Sequence, residues 1–159
     1  MNTNRYLFLD IDDVMVTTQL RFYKRRRIYD SCPFDQKCVK VLNQIIVEKN
    51  PIVIVSSDWK DHYDINQLNE IFADNGVKVT ISDVTPCLWG TQFKSVYELE
   101  ICRAHEIMKY VQDNNITNFV AVDDLNLTEW LPNNFVWCTQ SFEGIKQCGK
   151  KEKILNILI

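Results

Sequence analysis

The sequence has no apolar run approaching the ~18 residues that read as a bilayer crossing. Its opening residues, MNTNRYLFLD, lack the basic stretch, apolar core and small-residue cleavage site of a secretory leader. Together these absences predict a cytoplasmic protein that makes no use of a membrane. The six cysteines, Cys32, Cys38, Cys87, Cys102, Cys138 and Cys148, include no pair at C-x-x-C spacing. That argues against a structural zinc site, and without a leader free thiols are the default. Internal repeats and low-complexity tracts are also missing. A net charge of −3 carries no general pull toward nucleic acid or membrane. What is present is 159 residues, 46% hydrophobic and 25% charged, which predicts one domain over 1–159 with a core of its own.

Along the chain, apolar runs of strand length alternate with segments of helical period. Residues 5–10 read as a strand. Residues 33–50 place Val39, Leu42, Ile45 and Ile46 at helical spacing. PIVIVSS is a continuous apolar run after a proline, the pattern of a strand buried on both faces. Residues 64–76 read as a helix stopped by Gly76, VKVTI as a strand, and 97–115 as a helix with Ile101, Ala104, Met108 and Val111 on one stripe. NFVAVDD and NFVWCT read as strands, and the chain closes on a helix carrying Ile154, Leu155 and Leu158. Strand–helix alternation predicts an α/β fold, a Rossmann-like three-layer domain with a mainly parallel sheet.

In such sheets ligands gather at the carboxyl ends of strands. Those ends are where this sequence concentrates acids and hydroxyls: Asp10, Asp12 and Asp13 after the first strand, Ser56, Ser57 and Asp58 after the second, Asp123 and Asp124 after a later one. One aspartate after a strand is ordinarily a turn residue or helix cap. A D-x-D and a D-D after two buried strands call instead for a neutralising cation, and hard oxygen donors favour Mg2+. Asp13 and Asp58 read as loop residues, and Asp124 reads equally well as the start of a loop.

FLDIDDV, VIVSS, the basic RAHEIMKYV segment and FVAVDD, in that order, resemble the four motifs of the haloacid dehalogenase (HAD) superfamily, in a small phosphatase-like form. The resemblance implies a Mg2+-dependent phosphohydrolase. Asp10 would be the nucleophile that forms an aspartyl-phosphate, and Asp12 the acid and base for the leaving group and water. Asp10, Asp123 and the backbone carbonyl of Asp12 would hold the metal. Ser56 would bind a phosphoryl oxygen. Arg103 would balance the transition-state charge, with Lys94 as the other candidate cation. Three departures stand out: Asp13 where Gly is frequent, Arg103 where Lys is usual, and Ala104 where Gly is common. Neither stretch that carries caps in this superfamily has room for a large one, which implies an open site.

The insertion at about 14–33 contains RFYKRRRIYD. Arg21, Lys24, Arg25, Arg26 and Arg27, interleaved with aromatics, form a basic flap suited to a polyanion, including a nucleic-acid strand. The physiological substrate is left open, with nucleotide and nucleic-acid phosphates among the candidates. Two other classes of protein place acids at strand ends or keep such a scaffold. A receiver domain fits poorly, because the D-D pair falls after the basic residue. A non-catalytic nucleic-acid- or partner-binding module on the same scaffold is disfavoured by an intact Asp10 and Asp12.

Overall fold

The structure is a computed structural model that describes residues 4–18, 34–90 and 92–159. The basic flap residues Arg21 and Lys24 to Arg27 lie outside the described residues. Among the described residues five strands form a wholly parallel sheet: β1 (Tyr6–Leu9), β2 (Ile52–Val55), β3 (Asp83–Val84), β4 (Phe119–Asp123) and β5 (Phe135–Trp137). Their spatial order is β3-β2-β1-β4-β5. Among the described residues four α-helices connect or flank them: α1 (Gln36–Lys49), α2 (Ile65–Asp74), α3 (Val96–Asp113) and α4 (Lys150–Ile157). No described helix is long and apolar enough to cross a membrane.

The period of two along each strand splits the core in half. Leu7, Leu9, Val53, Val55, Val120 and Val122 face one side, where Leu42 and Ile45 of α1, Leu68 and Phe72 of α2 and Ile154 of α4 cover them. Phe8, Ile54, Phe119 and Ala121 face the other side and meet Ala104, Ile107 and Val111 of α3. Burial on both faces is why these strands read as unbroken apolar runs rather than alternating ones. Each such fully buried side chain contributes about 1.5–3 kcal/mol.

Local chemistry sets the helix ends. Asp35 caps α1 by accepting the Lys37 N–H at 2.8 Å. Asp64 and Gln67 form a reciprocal capping box on α2. Ser95 caps α3 through the Glu98 N–H. Beside the loop after β1 Gly144 is required: its φ is +59°, and an added Cβ would stand 2.3 Å from the Val14 carbonyl oxygen. That close approach lets Ile145 N–H bond the same carbonyl at 2.9 Å, tying the turn before α4 to the loop after β1.

One expected strand is displaced. VKVTI is not a strand; pairing with β2 begins only at Asp83. Side chains take the backbone groups of that segment first. Asn69 accepts from the Ile81 N–H at 2.6 Å and donates to the Ile81 carbonyl at 3.1 Å, and Asn43 accepts the Lys78 N–H at 2.9 Å. Val77 and Ile81 still bury their side chains, so the apolar pattern is real while the ladder is not.

Candidate functional site

β1 and β4 are neighbours paired Leu9 to Val122, so the residues that follow, Asp10 and Asp123, stand side by side. The Asp10 N–H donates to the Val122 carbonyl at 3.0 Å. This is where the strand order reverses, the position at which open α/β sheets present a crevice. Asp10 lies two residues beyond Phe8 and Asp123 two beyond Ala121, so both carboxylates emerge on the face that α3 covers. Both are buried, at 3% and 1% exposure.

Arg103, one residue before the buried Ala104 of α3, meets them there. Its Nη1 lies 2.7 Å from Asp123 Oδ2 and 3.2 Å from Asp10 Oδ1. The same nitrogen donates to the Ser56 carbonyl at 2.9 Å, and Nη2 donates to Asp58 Oδ1 at 2.9 Å. The planar fork of a guanidinium makes this multiple engagement possible where an ammonium would act as a point charge. Lys94 lies exposed ahead of α3, its backbone N–H donating to Glu98.

Burial pushes the Asp10 carboxyl well above the ordinary range, the Asp123 charge adds to that, and Arg103 opposes it. Burial likewise pushes Asp123 up to about 6, against the pull of Arg103 and with the push of Asp124. Arg103 is held firmly charged: burial works against its charge, but Asp123 and Asp10 outweigh it. One arginine thus leaves the acidic pair short of positive charge.

Carboxylate oxygens of Asp10, Asp123 and Asp124 all lie within 4.8 Å of one another. That donor set, hard oxygens from two adjacent strand ends, fits a divalent cation of the Mg2+ type. Asp124, which the sequence read equally well as a loop start, belongs to this group. The Asp12 carboxylate turns elsewhere: its Oδ2 accepts from the indole Nε1 of Trp59 at 3.1 Å. Asp13 has φ +57°, the left-handed conformation that explains why glycine suits this position. Its carboxylate accepts from the Thr18 hydroxyl at 3.1 Å.

A crevice of about 170 Å3 opens between Asp10, Asp12, Ser57, Asp58, Arg103 and Asp124. Ser57 is on its wall. The Ser57 oxygen accepts the Trp59 N–H at 3.5 Å, which leaves the hydroxyl proton available to donate into the crevice. The Ser56 hydroxyl is buried and has no hydrogen-bond partner among the described residues. Trp59, Ser57 and Asp58 all come from the end of β2, where the sequence signal was two serines and an acid; nothing in the sequence marked Trp59.

A family model described as the HAD domain in Swiss Army Knife RNA repair proteins matches residues 6–147. No curated protein and no solved structure matches.

Proposed function

The chain belongs to the HAD-domain family of Swiss Army Knife RNA repair proteins, and on that premise we propose that it is a Mg2+-dependent phosphohydrolase acting on nucleic-acid phosphate esters. The observation that carries this reading is the buried Asp10–Arg103–Asp123 constellation at the strand-order reversal, with Asp12 two residues beyond Asp10.

Asp10 attacks phosphorus in line and forms an aspartyl-phosphate as the ester oxygen departs. Asp12 gives that oxygen its proton and then takes one from the water that cleaves the acyl phosphate. Trp59 holds the Asp12 carboxylate in place for both transfers. Arg103 supplies fixed positive charge beside the phosphoryl oxygens, and the Ser57 hydroxyl donates to one of them, with Ser56 behind it. Asp10, Asp123 and Asp124, with the Asp12 carbonyl, would hold Mg2+. When bound, the ion screens the attacking carboxylate from the phosphoryl charge and keeps the raised Asp10 ionised. The flap cations Arg21 and Lys24 to Arg27 draw in the polyanion.

Turnover of p-nitrophenyl phosphate and of a terminally phosphorylated oligonucleotide, with Mg2+ and with chelator, tests the reading. Expected is metal-dependent phosphate release that Asp10→Asn abolishes. Absence of release from both esters in Mg2+ overturns it.

A further inference from the structure

A second cavity, of about 380 Å3, adjoins the reaction crevice, and Asp58, Leu99 and Arg103 form part of the wall of both. Its far wall carries Trp89, Phe93, Asp61 and His62. The loop bearing Trp89 is pinned from below by a buried ion pair, Lys60 with Glu106, each side chain 6% exposed. Lys60 donates to the Thr85 hydroxyl at 3.1 Å and the Pro86 carbonyl at 3.3 Å, and Glu106 accepts the Leu88 N–H at 3.1 Å. The Trp89 ring rests against His105 of α3 at 6.3 Å between centroids, while 44% of the residue stays exposed. An aromatic surface is therefore held in place beside the crevice by charged groups that have no part in phosphoryl transfer.

The charge on this wall says what kind of group it suits. Both of its basic cations are already matched, Lys60 by Glu106 and Arg103 by Asp58 and the catalytic acids. Asp61 adds a further carboxylate, which accepts from the Cys87 thiol at 3.6 Å. A second phosphate placed here would meet acids. An uncharged ring carrying N–H donors would meet indole and phenyl faces for stacking and a carboxylate to accept its hydrogen bonds. A volume in the range of small-molecule sites exceeds the need of a lone phenol ring.

We propose that this cavity seats the terminal nucleoside of the substrate, with its base against Trp89, while the phosphate lies between Asp10 and Arg103. The inference rests on the phosphohydrolase reading and narrows it to nucleoside monoesters. It gives Trp89 and Phe93 a role in substrate choice, and Lys60 and Glu106 a role as positioning residues for the loop.

Steady-state kinetics in Mg2+ compare nucleoside monophosphates esterified at the 2′, 3′ or 5′ hydroxyl with glycerol 2-phosphate and O-phosphotyrosine. The best nucleotide should exceed glycerol 2-phosphate at least about tenfold in kcat/KM, the scale of one base–aromatic stack, chiefly through KM. Trp89→Ala should move that ratio toward one, with the thermal melt confirming a folded protein. A ratio near one in the wild type, a ratio retained in Trp89→Ala, or phosphotyrosine equal to the best nucleotide overturns the proposal. Hydrolysis of glycerol 2-phosphate without nucleotide preference overturns this inference alone. Absence of hydrolysis of every ester overturns the phosphohydrolase reading and this inference together.

Discussion

The indole Nε1 of Trp59 donates to Oδ2 of Asp12 at 3.1 Å, joining the turn after β2 to the acid two residues beyond Asp10. Trp59 is braced by Tyr63 at 5.5 Å and Phe34 at 6.2 Å between ring centroids, so the donor is held by packing on both sides. Trp59→Phe removes the N–H donor while keeping an aromatic ring between Tyr63 and Phe34. A hydrogen bond to a charged group is worth ~1.5–3 kcal/mol, so kcat for a phosphomonoester should fall about tenfold or more, with KM little changed. An unaltered kcat in a folded Trp59→Phe protein would separate Trp59 from the chemistry.

Asp10→Asn changes little in volume and removes the carboxylate proposed to attack phosphorus. Phosphatase turnover should vanish. Asp12→Asn should lower kcat by at least the ~10²-fold typical of general acid–base groups. Rapid quench with 32P-labelled substrate should trap label on wild-type protein and none on Asp10→Asn. Full activity in Asp10→Asn excludes a covalent route.

The raised Asp123 gives the metal-free protein a defined pH response. Folded Asp123 keeps its proton up to about 6, whereas an unfolded aspartate releases it near ~3.9. The folded state binds more protons in between, so this contribution to stability is complete below the unfolded value and is lost as pH rises through about 6. Asp10, also raised, acts in the same direction. Asp35 acts oppositely. Partial burial pushes it up, but the Lys146 ammonium and the Lys37 N–H outweigh burial and hold it low, so its contribution is lost only in more acidic solution. Melting temperatures at pH 5 and pH 7 with and without Mg2+ check the sign. The Mg2+ increment should be larger at pH 7, where the ionised acids bind the cation best. Equal increments would contradict the assignment of Asp123 to the metal.

Arg103→Met should be costly to the fold as well as to activity. It leaves Asp10 and Asp123 buried without their shared cation. Removing one partner of a buried ion pair costs roughly 3–5 kcal/mol. Urea denaturation at pH 7 in chelator should show a loss of that size, and Mg2+ should restore part of it. Arg103→Lys should retain more stability than Arg103→Met. It should still lose rate, because an ammonium does not span Asp58, the Ser56 carbonyl and both acids at once.

Replacing Arg25, Arg26 and Arg27 with Ala should raise KM for a phosphorylated oligonucleotide at low salt and leave kcat for p-nitrophenyl phosphate nearly unchanged. The difference should shrink at high ionic strength, because salt screens long-range attraction between charges. Equal KM values for the two proteins at low salt would reduce the segment to a solvated basic flap.

Most of the fold was legible because its signals are local. Unbroken apolar runs and helical stripes lie within a few residues of what they specify. The acids at the strand ends were legible for the same reason: strand parity carries Asp10 and Asp123 onto the faces of Phe8 and Ala121. The segment 77–81 misled because its backbone partners, Asn43 and Asn69, are side chains of other elements. Apolar periodicity reports burial and is blind to that competition. What only the tertiary structure decided is adjacency between distant segments. β4 lies next to β1 across more than a hundred residues of chain, which places Asp124 with Asp10 and Asp123. The turn after β2 delivers the Trp59 indole to Asp12, and α3 delivers one guanidinium to three acids. A sequence specifies which groups can bond. Which of them meet depends on strand order and helix placement, and these follow from packing the whole core at once.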